Sequence, residues 1–446
     1  MKRKFLSAVV SLIIISALSF LAFAEPGFAY SENDLIEFTP KWESIIADDS
    51  VISVTPGAEQ GELRFAWLSA EGESTPLFII SANADMSSSR ECEVIVNKAI
   101  EEFNSNNVTV KGLEEGKTYY YSYTKNGEWS SPTPVTVQPD EKFTVLFVSD
   151  AQIGRSGDEK LEEVLIRDTC GWNYTVNKML TQQPNAAFAI SAGDQFQSED
   201  SLVQMKAYLS PVQLRSLPVA NTIGNHDNDA SLYGDIFNNP NEVKETFAAE
   251  AGTGYYYTYG DALFITLNSN NTFPSDAAKV LREAVNAYPD TKWRVVTMHH
   301  NPYSVTDDDS DFSKERFIFS PLFDCYDIDL CLSGHDHIYS RTAATYGGKI
   351  ATGEGTVYIQ STSASGSNYD NLNDSKLSSF TVSVFDTNIP TYTAFTFTDE
   401  AIIGTTYRTD SDEIVDSFEI ADNTSDSSAG FFNVLFMMFK TLFSML

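Results

Sequence analysis

Six segments along the middle of the chain share one design, an apolar run that stops at polar residues. They are FTVLFVSD (143–150), AAFAISAGD (186–194), LPVANTIGNHD (217–227), ALFITLNS (262–269), WRVVTMHH (293–300) and DIDLCLSGHDH (327–337). Short apolar runs without alternation predict strands buried on both faces. Between several of them lie stretches with helical spacing, such as EEVLIRDTCGWNYTVNKML (162–180) and DAAKVLREAVNAY (276–288). Buried strands alternating with helices predict an α/β domain whose sheets are covered on their outer faces. Ligands in such folds gather at the carboxyl ends of strands, and the polar clusters here sit at that end.

The pattern before Glu141 is different. Residues 37–138 predict an all-β unit: GELRFAWLSA and TYYYSYTKNGEWSSPTPVTVQP alternate apolar with polar residues, and Asn126-Gly127 marks a tight hairpin. VTVKGLEEGKTYYYSY, with Leu113 followed six residues later by Tyr119 as a corner tyrosine, resembles the fibronectin type III pattern. Its expected role is that of a structural partner packed on the next domain. Residues 357–421 return to β-rich sequence and read as the last strands of a catalytic domain spanning 141–421.

The two ends read as targeting segments. Lys2-Arg3-Lys4, the apolar stretch Phe5–Ala24 and the small residues flanking Phe23 predict a signal peptide over 1–24, with a retained anchor as the alternative. An exported chain, secreted or at the cell surface, follows. A polar linker (422–429) leads to the apolar tail 430–446, whose polar residues fall on one side of a helix. This predicts contact with a membrane surface or a partner; a lipid-anchor signal has the same layout.

The formal charge is −33 over 446 residues. Such a surface repels phosphate backbones, so nucleic-acid binding is not expected. A small phosphorylated substrate is still compatible if cations supply the positive charge. Cys92, Cys170, Cys325 and Cys331 fit no metal-ligand spacing and are expected to be buried or bridged.

The chain has five histidines, His226, His299, His300, His335 and His337, and all lie in three of the strand-end motifs. Asp150 and Gln152 end the first segment, Asp194 the second, and Asn225 stands beside His226 in the third. Each alone reads as a cap or turn residue. Together they match the needs of a binuclear metal centre, in which two cations ~3.5–4 Å apart share a bridging carboxylate. Imidazole and carboxamide donors favour iron, zinc or manganese over calcium. Gly193, Gly224 and Gly334 adjoin the candidate ligands and keep the backbone uncrowded there.

With these motifs in place, the sequence resembles the calcineurin-like metallophosphoesterases, and among them the purple acid phosphatase branch. The resemblance extends to GYYYTYGDALFITLNS (254–269) and to HIYSR (337–341), which begins at the last histidine. It implies a double β-sheet sandwich flanked by helices, two metal ions, and hydrolysis by a metal-bridging hydroxide attacking phosphorus. It makes Asp194 the bridge, gives Asp150 and His337 to one metal, and gives Asn225, His299 and His335 to the other. Gln152 stands where the broader family has a histidine, and is a weaker ligand candidate with a hydrogen-bonding role as the alternative. His226 would face the phosphate, with Asp227 to orient it and Arg341 to help hold developing charge. Tyr303, an aromatic four residues on, favours His299 over His300 as ligand.

Two departures stand out. Gln197 occupies the position of the tyrosine that colours the purple enzymes, so no purple band is expected. The downstream substrate histidines of that branch are missing, TDDDSDFSKER (306–316) standing there instead. The reading is an exported phosphatase acting on monoesters. The alternatives are a phosphodiesterase or nucleotide hydrolase on the same site, and a binding protein on an inactive phosphatase scaffold. On an extended segment His335 and His337 would point one way and Asp336, as a supporting or surface residue, the other.

Overall fold

The computed structural model describes residues 27–421, apart from 73–74, 101, 126, 307–312 and 352–354. The expected signal segment, linker and apolar tail lie outside the described residues. Among those described, no helix is long and apolar enough to cross a membrane.

Each of the six apolar segments contains a strand: Phe143–Val148, Phe188–Ser191, Val219–Asn221, Ala262–Thr266, Trp293–Thr297 and Leu330–Ser333. The first three pair in parallel, and Thr391–Phe397, Ala401–Arg408 and Ile414–Ala421 extend them antiparallel into a six-stranded sheet. The other three pair in parallel with Val357–Gln360 inside a seven-stranded sheet. Phe147, Ile190 and Phe395 of one sheet share a buried core with Phe264, Val295 and Leu332 of the other. Helices Glu162–Gln182 and Leu202–Tyr208 cover the outer face of the first sheet, while Pro274–Ala287 and Lys314–Cys325 cover the second. The result is an α/β sandwich of two sheets between helices, which explains why these strands read as continuous apolar runs.

The front region holds two antiparallel sheets around one core containing Phe65, Trp67, Phe78, Val108 and Tyr121. Lys125 pairs with Glu128 across the expected hairpin. The Tyr119 hydroxyl accepts the Glu114 N–H at 3.0 Å. The all-β expectation for 37–138 fails at its start: Trp42–Ile46 is α-helical, and a 3-10 turn over Thr39–Lys41 joins it to the preceding helix Glu32–Phe38. The cause is a capping box, in which Ser31 and the third residue on, Asp34, cap each other's backbone. The apolar residues Leu35, Phe38, Trp42 and Ile45 then recur at helical spacing.

The front sheets brace the site. Ser105 donates to the Asp235 carbonyl at 2.6 Å, and Asn238 donates to Phe65 and Val108 carbonyls at 3.3 and 3.2 Å. These contacts fix helix Ser231–Ile236, which follows the Asn225-His226 turn. All four cysteines are free thiols, so none is bridged, and Cys92 is only partly buried.

Candidate metal centre

The strands stop two to four residues before the candidate ligands Asp150, Asp194, Asn225, His299 and His335. Beyond the strand ends the backbone enters the left-handed region at Asp150, Gln152, Asp194, His335 and His337, with φ of 52°, 36°, 50°, 77° and 55°. Non-glycine residues there carry strain, and glutamine lacks the tolerance for this region that aspartate and histidine show. This corrects the extended reading of GHDH. The strand ends at Ser333, the Asp336 N–H bonds the Gly334 carbonyl at 3.0 Å, and His335 and His337 leave a bend. Asp336 is buried, which rules out a surface role.

The bends bring Asp150, Asp194 and His299 together, each offering an atom within 4.8 Å of the others. His337 Nε2 lies 3.2 Å from Asp150 Oδ1, and His299 Nε2 lies 3.3 Å from Asp194 Oδ2. Asn225 Oδ1 is 3.0 Å from both His299 Nε2 and His335 Nδ1. Gln152 donates from Nε2 to Asp194 Oδ2 at 3.3 Å. The Asp194 Oδ1 atom accepts the His226 N–H at 3.0 Å. Asp150, Gln152, Asp194, His299 and His337 are buried, while Asn225, His226 and His335 reach solvent. The cluster thus has a floor and an open side.

Backbone carbonyls set the imidazoles. His299 Nδ1 faces the Ala192 carbonyl at 2.9 Å, and His337 Nδ1 faces that of Asn368 at 3.1 Å. A carbonyl only accepts, so each Nδ1 carries the proton and each Nε2 is directed to the cluster. Burial works against charge on His299, yet Asp194 lifts its pKa to about 10. His299 Nε2 is the nitrogen that faces both Asp194 and Asn225. Burial, then His299, pushes His335 down to about 4. One buried acceptor, Gln152 Oε1, has no hydrogen-bond partner. That orphaned oxygen, two carboxylates and imidazole nitrogens fit a cation pair of the iron, zinc or manganese class.

The glycines act by close approach. A Cβ on Gly224 would overlap Asp194 Oδ1, one on Gly334 would overlap Asp150 Oδ2 and Ser149 Oγ, and one on Gly193 would overlap the His299 ring.

Two expected roles need restating. Asp227 does not orient His226. Its buried carboxylate accepts the Gly224 N–H at 2.9 Å and the Phe196 N–H at 3.4 Å, tying two site loops together. Burial, then the Asp194 charge, raises it to about 8. The carbonyl that orients His226, through Nδ1 at 3.0 Å, belongs to Gln197. Arg341 is not brought to the cluster. Its guanidinium grips Asp416 at 2.7 and 3.1 Å and lies over the Phe418 ring, because the strand Tyr339–Thr342 turns it toward that sheet edge. Arg341→Ala is therefore expected to cost about 1–2 kcal/mol in denaturant unfolding, the pair being only partly buried, while leaving metal content unchanged.

His300 pairs through Nδ1 with Ser269 Oγ at 2.8 Å, and its ring lies 4.5 Å from that of His335. We expect His299→Ala to lose bound metal and His300→Ala to retain it, as read by metal analysis of the purified variants. The anchors from Ala192, Gln197 and Asn368 were missed from sequence, since backbone carbonyls carry no residue signature.

Residues 143–339 match the family of calcineurin-like phosphoesterases. A search of curated proteins finds no match. Among solved structures, the purple acid phosphatase PPD1 from yellow lupin (Lupinus luteus) seeds superposes with a TM-score of 0.64 at 12% identity, over 86% of this chain and 75% of that one. PhoD superposes with a TM-score of 0.56 at 11% identity, over 90% of this chain and 99% of that one. At these identities the likeness is one of fold.

Proposed function

We propose, from the premise that residues 143–339 form a calcineurin-like phosphoesterase domain and hence a hydrolase, that the chain is an exported phosphatase acting on small phosphate monoesters. The observation that carries this is the buried meeting of Asp150, Asp194 and His299 at adjoining strand ends. Asp194 would bridge two cations, with Asp150, Gln152 and His337 on one side and Asn225, His299 and His335 on the other. When bound, the cations would polarise the phosphoryl oxygens and acidify the attacking water. His226 stands at the open side with its Nδ1 committed to Gln197. That leaves Nε2 to exchange a proton with the leaving-group oxygen. Asp227 keeps the His226 turn against the Phe196 loop.

The formal charge of −33 disfavours polyanionic substrates, which supports a small one. Export rests on the basic-then-apolar start of the chain, and surface contact on the apolar tail. The test compares an aryl phosphomonoester with the matching diester under added manganese, zinc or iron. At least a tenfold higher kcat/KM for the monoester is expected; the opposite preference overturns the monoester reading. Mass spectrometry of the exported chain should place its N-terminus after Ala24.

A further inference from the structure

We infer that the segment Gly27–Tyr30 is a strap that positions His337, and so controls occupancy of its half of the metal centre. The inference rests on the reading of His337 as a ligand. The link is the loop 363–369. At one end, Ser363 Oγ donates to the Asp150 carbonyl at 2.9 Å, and the Ala364 N–H reaches the Ser149 carbonyl at 2.8 Å. Further along, the Asn368 carbonyl receives His337 Nδ1 at 3.1 Å. One short loop thus touches the main chain of one candidate ligand and fixes the ring of another.

The loop is fastened on two sides. Helix Glu162–Gln182 holds it through Thr175 Oγ1, which donates to the Ala364 carbonyl at 2.6 Å. The Ser365 carbonyl occupies the space that a Cβ on Gly171 would need. The strap closes the other side. Tyr369 Oη donates to the Gly27 carbonyl at 2.9 Å, next in sequence to the Asn368 carbonyl that anchors His337. Gly27 packs so closely on Gly366 that a Cβ there would overlap its carbonyl, and Gly366 has a φ of 81°. Phe28 wedges beside Gly171, its ring 5.0 Å from that of Tyr30 and 5.8 Å from the Arg167 guanidinium.

The energetic role follows from this geometry. Residues 363–367 are buried, yet they form no strand or helix. Their position depends on bonds to neighbours, and release of the strap frees the end nearest Asn368. A ligand imidazole whose Nδ1 acceptor wanders loses both orientation and basicity. Tyr369 and Phe28 are therefore positioning residues, acting on metal through His337 without touching it.

The test uses the full chain with Tyr369→Phe, Phe28→Ala and, in parallel, His337→Ala. Zinc binding is read by competition with a chelating dye, and melting temperature is read on metal-free protein. Tyr369→Phe removes one hydroxyl and leaves the ring, so it is the variant least prone to misfold. The expected result is that both strap variants weaken one of two zinc equivalents by about 10–100-fold and leave the other unchanged, with Tyr369→Phe melting like the parent. If His337→Ala loses one equivalent while the strap variants bind as the parent does, the strap is overturned and the ligand reading stands. If His337→Ala also binds two equivalents normally, the ligand reading fails and the strap with it. Equal weakening of both equivalents in Tyr369→Phe also overturns the proposal, since a general loss of structure moves both.

Discussion

Asparagine in place of Asp194 is expected to lower kcat by ~1000-fold or more and to remove metal from the purified protein. The carboxylate is buried and faces four groups at once: the His226 N–H, Gln152 Nε2, the His299 ring and, within 4.8 Å, Asp150. Burial would raise its pKa, but the His299 imidazole holds it well below the usual carboxylate range. It therefore stays anionic through the working pH range and can share its two oxygens between cations. Asparagine keeps the volume and one oxygen, so the fold should survive while the negative charge is lost. Steady-state assay with metal analysis of the same preparation checks both parts. Unchanged turnover would remove Asp194 from the centre of the mechanism.

The second large effect concerns residues without side chains. Gly224→Ala and Gly334→Ala each place a methyl group against a candidate ligand carboxylate, Asp194 in one case and Asp150 in the other. Overpacking of this kind costs about 1–3 kcal/mol, and here the atoms that must retreat are those proposed to hold metal. Both variants should melt lower than the parent and lose metal and activity together. Gly234→Ala is the control. It lies in helix Ser231–Ile236, its nearest obstacle is the Ala251 carbonyl at 3.6 Å, and alanine favours a helix. It should be neutral or slightly stabilising. Chemical denaturation and metal analysis of the three variants separate crowding at the site from a general intolerance of alanine.

The place of the candidate site was legible because its residues follow apolar strands, and a strand buried on both faces announces itself in sequence. Asp150, Asp194, Asn225, His299 and His335 all sit just past such strands. The backbone at the strand ends was not legible. A string of letters does not show that His335 and His337 adopt φ of 77° and 55°, and the alternation rule applied to GHDH assumed a strand that ends at Ser333. Side-chain direction failed in the same way at Asp227 and Arg341. Proximity to His226 and His337 in sequence suggested site roles, whereas burial turned one to the Gly224 and Phe196 amides and strand pleating turned the other to Asp416. The helical start of 37–138, through Trp42–Ile46, was missed because the alternating strands downstream set the expectation for that segment, while Ser31 and Asp34 form a cap just upstream that local reading could have found.

The central claim is that these strand ends hold two cations that work on a phosphate ester. The direct measurement is the metal content of the purified chain, taken on the same sample as its turnover of an aryl phosphomonoester, before and after chelation. Two equivalents of iron, zinc or manganese per chain are predicted, with turnover lost on chelation and restored by metal. Fewer than one equivalent and no turnover after metal is added back would contradict it.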